Sequence, residues 1–138
     1  MNKATALGWT DLSAPSLESF AELAEAAFAA LPAQFRQYTG DVVFRVQDFA
    51  EPEVLSDLGI EDPFELSGLY QGVSRMERSV FAAAPMPSTI FLYRRPILDE
   101  WAELGDVTLG ELIAHVLIHE IGHHFGLSDA DIDAIQAD

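Results

Sequence analysis

Apolar positions along the chain change period several times, and each change marks an element. From Ser16 to Leu31, the residues Leu17, Phe20, Leu23, Ala24, Ala27, Phe28 and Leu31 recur at spacings of three and four. That is one stripe on an amphipathic helix. Ser13 or Ser16 can cap its start, and Pro32 follows its end. After Thr39-Gly40 the period drops to two: Val42, Phe44 and Val46 alternate with Val43, Arg45 and Gln47. This predicts a strand with Val42, Phe44 and Val46 turned to the core. Glu51-Pro52 opens a short helix that Gly59 can close, and Asp62-Pro63 reads as a loop. Leu66 to Val73 reads as a second strand, with Gly68 and Gly72 marking bulges or close backbone approach. Ser74 to Val80 reads as an edge strand or a loop, since Arg75, Glu77 and Arg78 suit an edge. Ala84-Pro85-Met86-Pro87 breaks the chain, and Thr89 to Tyr93 is a short β-rich run predicted to be a central strand.

The helix signals strengthen toward the C-terminus. Pro96 opens a helix through about Glu103 that Gly105-Asp106 ends. Thr108 is followed three residues on by Glu111, a capping box that satisfies amides exposed at a helix start. Leu109, Leu112, Ile113, Val116, Leu117 and Ile121 carry that helix's apolar faces, and Gly126 can end it in a left-handed turn. Asp129 to Ile135 reads as a final short helix. The sum is an α+β fold, a small mixed sheet packed against helices, in one domain over residues 1–138 with residues 1–12 as a loose arm.

Composition narrows the chemistry. The chain has no cysteine, so neither a disulfide nor a thiolate metal site is available, and any bound metal must be held by His, Asp or Glu. Seven Lys and Arg stand against 23 Asp and Glu, a formal charge of −16. Such a surface repels phosphate backbones, so neither nucleic acid nor an anionic membrane is expected as a partner. No apolar run is long enough for a transmembrane helix, and Met1 to Leu7 lacks a basic region followed by a long apolar core. The expected location is the cytoplasm.

The chemistry concentrates between His119 and Asp129, in His119-Glu120-Ile121-Gly122-His123-His124-Phe125-Gly126-Leu127-Ser128-Asp129. His119 and His123, four apart on a helix, share a face with about 5–6 Å between Cβ atoms, so both can reach one ion at roughly 2.0–2.1 Å. Glu120 lies about 100° round the helix from His119, where it can contact water at the metal as a general base. Gly126 lets the backbone reverse, so that Asp129 can swing back as a third ligand; Asp131 and Asp133 are also within reach of such a turn. Chance alone places H-E-x-x-H in fewer than about one in a hundred chains of this size.

His115 lies one turn before His119 on the same face and reads first as a solvated or hydrogen-bonded helix histidine, second as a partner at the cleft rim. His124 points about 100° away from His123 and is not a ligand. Tyr70, Tyr93, Arg94 and Arg95 are candidates for stabilising an oxyanion, although strand tyrosines usually pack and arginines usually pair with acids.

The series His119-Glu120-x-x-His123-x-x-Gly126-x-x-Asp129 resembles the short-motif zincins that use Asp as third ligand. More closely, the chain resembles the minimal zincin metallopeptidase family of small bacterial proteins over roughly residues 16–136, including Leu66-Ser67-Gly68-Leu69-Tyr70-Gln71-Gly72-Val73 and Ile90-Phe91-Leu92-Tyr93-Arg94-Arg95-Pro96-Ile97. The resemblance implies a zincin-like (metzincin-like) fold with the active-site helix near the C-terminus. It also implies one zinc ion per chain on His119, His123 and Asp129, Glu120 as catalytic base, and a peptide or protein substrate. The rival expectation is a zinc-binding protein without turnover, whose metal serves structure or a partner.

Overall fold

The structure is a computed structural model that describes residues 12–39, 41–72 and 88–137. The expected N-terminal arm, the Ser74–Val80 segment and the Ala84–Pro87 break lie outside these residues, apart from Leu12.

Helix α1 spans Leu17–Ala29, and Ser16 is its cap: the Ser16 hydroxyl accepts the Ser19 amide at 3.1 Å. Its apolar stripe buries Phe20 and Ala24 completely. A second helix, α2 (Ala33–Thr39), follows at once and has no counterpart among the sequence expectations. Its polar run Gln34, Arg36 and Gln37 disguises it, although Phe35 and Thr39 are fully buried. The Pro32 carbonyl accepts the Phe35 amide at 3.0 Å, and the Arg36 guanidinium donates to the Leu31 carbonyl at 3.1 Å. The proline thus ends one helix and starts the next.

Strands β1 (Val42–Gln47), β2 (Gly68–Gln71) and β3 (Ser88–Tyr93) form a mixed sheet in the order β1-β3-β2. β1 runs parallel to β3, with Val42 opposite Ser88 and Gln47 opposite Tyr93. β2 runs antiparallel to it, with Gly68 opposite Leu92 and Gln71 opposite Thr89. The central position of β3 explains its unbroken apolar run: Ile90 and Leu92 are fully buried. Val42, Phe44 and Val46 pack against the core, while Val43 on the other face remains 44% exposed. Between β1 and β2 stand α3 (Pro52–Leu58), closed by Gly59 at φ 71°, and a 3-10 turn over Pro63–Glu65 where a loop was expected. There the Asp62 carboxylate accepts the Phe64 amide at 3.0 Å and tightens the turn.

Three more helices follow: α4 (Arg94–Leu104), α5 (Leu109–His124) and α6 (Asp129–Ala137), the last running two residues beyond its expected end. α5 is the centre of the molecule. It packs on α1, α2, α4, α6 and β2, and buries Leu112, Ile113, Val116, Leu117, Ile118 and Ile121. Each such side chain, moved fully out of water, is worth roughly 1.5–3 kcal/mol. Its opposite face carries Glu111, His115, His119 and His123, four residues apart in turn and so aligned along the helix.

The start of α5 is fixed by both halves of the capping box. The Thr108 hydroxyl accepts the Glu111 amide at 3.1 Å, and the Glu111 carboxylate accepts the Thr108 amide at 2.8 Å. Those bonds hold the Glu111 carboxyl below its ordinary value, and the Ser128 amide and hydroxyl do the same for Asp131 at the start of α6. A carboxyl depressed in the folded state contributes stability above its unfolded pKa, and that contribution disappears as pH falls through the folded value. Glu111→Gln and Asp131→Asn are therefore expected to flatten the loss of stability below pH 4, and Thr108→Ala to cost about 1 kcal/mol at neutral pH. Urea melts at a series of pH values check both; an unchanged acid slope in the double variant would refute the assignment.

Candidate metal centre and catalytic site

The exposed face of α5 reaches the C-terminal end of the helix, where the chain reverses. Gly126 adopts φ 84°, a left-handed conformation that side-chain-bearing residues reach at a cost, so this turn requires glycine. The Leu127 amide donates back to the Gly122 carbonyl at 2.8 Å and closes the end of the helix. Ser128 then caps α6 in a second box: its hydroxyl accepts the Asp131 amide at 3.1 Å, and the Asp131 carboxylate accepts the Ser128 amide at 3.0 Å. This places Asp129 in the first turn of α6, facing the histidines of α5.

Three residues converge there. The Asp129 carboxylate oxygen Oδ1 lies 2.9 Å from His123 Nε2 and 3.6 Å from His119 Nδ1. One potential donor atom from each of His119, His123 and Asp129 lies within 4.8 Å of the others. A tetrahedral ion with bonds of about 2.0–2.1 Å places its donors roughly 3.3 Å apart, so the observed distances bracket the requirement. The donor chemistry fits as well, with two imidazoles, one carboxylate and no competing thiolate. The side chains of His119, His123 and Asp129 are 23%, 51% and 75% exposed, which leaves the centre open to solvent on one side.

The expected alternatives to Asp129 occupy other roles. Asp131 is committed to the cap of α6. Asp133 lies near enough to raise the proton affinity of His119, yet stands outside the converging set. Burial lowers the His119 pKa, as do the neighbouring His115 and His123, against the opposing pull of Asp129 and Asp133. The net effect favours the neutral imidazole, the form that binds metal.

Glu120 sits beside this centre at the junction of α5 and β2. The Tyr70 backbone amide donates to its carboxylate. Burial pushes its pKa up to about 7, against the opposing influence of His123 and of that amide. A carboxylate with this affinity is matched to accepting and returning protons near neutral pH. Its position depends on Gly68: a Cβ there would lie 2.9 Å from Val116 Cγ1 and 3.3 Å from Glu120 Cγ. The close approach expected at Gly68 is thus what brings the β2 amide to the Glu120 side chain. A similar clearance occurs at Gly122, inside the motif, where a Cβ would lie 2.7 Å from Ile132 Cδ1. Nothing in the sequence pattern singles out Gly122, whereas the Ser128 cap had a legible signal, since Ser-x-x-Asp is a recognisable helix start.

The other singled-out residues divide clearly. His124 turns away, its Nε2 3.2 Å from the Gly72 carbonyl and its ring 4.3 Å from that of Tyr70. His115 lies against His119, with ring centroids 4.2 Å apart and the rings tilted by 46°. The Tyr70 hydroxyl donates to Ser88 Oγ at 2.7 Å, in the interior. Arg94 donates to Asp48 at 2.7 Å and to the Pro15 carbonyl at 3.0 Å. Both therefore have structural partners. Arg95 is exposed. Tyr93 is 1% exposed, and its phenol is pushed up to about 12 by burial and by the charges of Glu120 and Glu51, so it remains a proton donor.

No helix among the described residues is long and apolar enough to cross a membrane. No curated protein matches the chain. Residues 39–138 match the profile of the zincin-like metallopeptidase family, a span that takes in strands β1, β2 and β3 and the converging His119, His123 and Asp129. With more than two thirds of its length covered, and with an α+β fold that sets a histidine pair and a glutamate on one helix, the chain belongs to the zincin-like metallopeptidase family.

Proposed function

We propose that the protein is a zinc-dependent peptidase that holds one zinc ion on His119, His123 and Asp129 and uses Glu120 as its general base. The observation that carries this reading is the convergence of His119, His123 and Asp129 beside a carboxyl whose proton affinity is tuned to neutral pH. Zinc bound there would supply Lewis acidity, polarising a carbonyl and making water more acidic, toward a pKa of about 7. Glu120 takes the proton of the attacking water and passes it to the nitrogen of the leaving amine as the peptide bond breaks. The Tyr70 amide holds the Glu120 carboxylate in place throughout. An extended substrate pairs its backbone with the outer edge of β2, which among the described residues has a strand partner only in β3 and directs the Tyr70 amide to Glu120.

Metal analysis of protein purified without chelator is expected to give about one zinc per chain, lost in His119→Ala. A broad peptide-library digest, comparing wild type with Glu120→Ala, then tests turnover. Zinc binding without cleavage, or equal cleavage by both proteins, overturns the peptidase reading and leaves a zinc-binding protein whose metal serves structure or a partner.

A further inference from the structure

The polar stripe on α5 does not end at the metal centre. Toward the start of the helix it runs into a cavity of about 320 Å³ between α4 and α5, lined by Glu100, Leu104, Val107, Glu111, Leu112 and His115. His115 joins the two regions, since it lines the cavity while its ring lies against that of His119. Leu104, Val107 and Leu112 make apolar walls. Glu100 and Glu111 supply two carboxylates, and among the described residues no Lys or Arg lines the cavity. Glu111 uses Oε1 on the Thr108 amide, and Glu100 receives the Ser67 hydroxyl on Oε1 at 3.4 Å. Each carboxylate has a second oxygen to offer a ligand.

From this combination we infer that the cavity is a substrate subsite that accepts a lysine or arginine side chain. Such a side chain has an aliphatic stem for Leu104, Val107 and Leu112 and a cationic head for Glu100 and Glu111. A negatively charged side chain meets two like charges there, and a short apolar one offers no donor to the second oxygen of either carboxylate. The volume accommodates one long side chain. Glu111 and His115 stand eight and four residues before His119, about 6–12 Å along the helix axis at 1.5 Å per residue. An extended peptide covers that distance in about two to four residues. The preferred substrate therefore carries its basic residue about two to four positions from the bond that is cut. The term substrate rests on the peptidase reading; the binding of a basic side chain does not.

The test uses full-length protein loaded with zinc and two sets of blocked alanine octapeptides, one with a single lysine and one with norleucine, the same stem without the charge, at each position in turn. Binding is read by competition against a fluorescent lysine peptide, and cleavage is read separately. Lysine is expected to bind about tenfold tighter than norleucine at the best position. In the Glu100→Gln/Glu111→Gln double variant, where Gln can still cap α5, the ratio should fall to about one. Glu22→Gln/Glu25→Gln removes the same charge from the exposed face of α1 and is expected to leave the ratio intact. An equal affinity for the two peptides, a ratio unchanged in the cavity variant, or an equal loss in the α1 variant overturns the subsite. Lysine preference without cleavage by the wild type overturns the peptidase reading alone. Cleavage without lysine preference overturns the subsite alone.

Discussion

In Glu120→Gln, peptide cleavage is expected to fall by about 10²–10⁴-fold while the zinc content stays at one ion per chain. Glutamine has the shape of glutamate and can still accept the Tyr70 amide, so the packing between α5 and β2 is retained. It cannot take a proton from water. The loss should appear in kcat with KM little changed, because the removed interaction belongs to the transition state. Stopped assays on a peptide identified in the library digest, with metal analysis of the same samples, measure both quantities. A variant that cleaves as fast as wild type would remove Glu120 from the chemistry, and a variant that loses its zinc would make Glu120 part of the metal centre instead.

Gly122→Ala should weaken zinc binding by about 10–100-fold, although residue 122 offers no ligand atom. In an ordinary helix this change is favourable by up to about 1 kcal/mol, because alanine restricts the unfolded chain. At this position the new methyl group would lie 2.7 and 2.8 Å from Ile132 Cδ1 and Cγ1, so Ile132, which is fully buried, must shift. Overpacking of this kind costs typically about 1–3 kcal/mol. The least resisted movement carries α6 away from α5 and takes Asp129 with it. Gly110→Ala is the control: a Cβ there meets nothing within 4 Å, so a small gain in stability and unchanged zinc affinity are expected. Ile132→Val removes Cδ1 and should restore part of the affinity in combination with Gly122→Ala, a coupling that a double-mutant cycle measures. Zinc titrations giving equal affinity for wild type and Gly122→Ala would show that α6 docking does not position the carboxylate.

These two predictions also mark where the sequence was legible. His119, His123, Gly126 and Asp129 were readable because helical period and turn chemistry act within a few residues, and the same locality exposed the Thr108–Glu111 cap and the stripes on α1 and β1. Gly122 was not readable, because its constraint comes from Ile132 across a reversal of the chain. Helix α2 was missed for a related reason: Phe35 is held by tertiary packing, and its polar neighbours give no period. The choice among Asp129, Asp131 and Asp133 stays open in the sequence, because it depends on the phase of α6, which the Ser128–Asp131 cap sets; a slip of two residues there would present a different carboxylate.

The short reach between His119 and Asp129 has a thermodynamic consequence. All three converging groups come from one helix, its reversal and the first turn of the next, so little chain entropy is lost in closing the ring around an ion. α6 leans chiefly on α5. A fluctuation that opens the sheet can therefore leave this corner assembled, and an ion retained by partly unfolded chains raises the melting temperature less than its affinity for the native state implies. A zinc ion held on these residues would protect the α5–α6 corner from local opening more than it would protect the whole fold from melting.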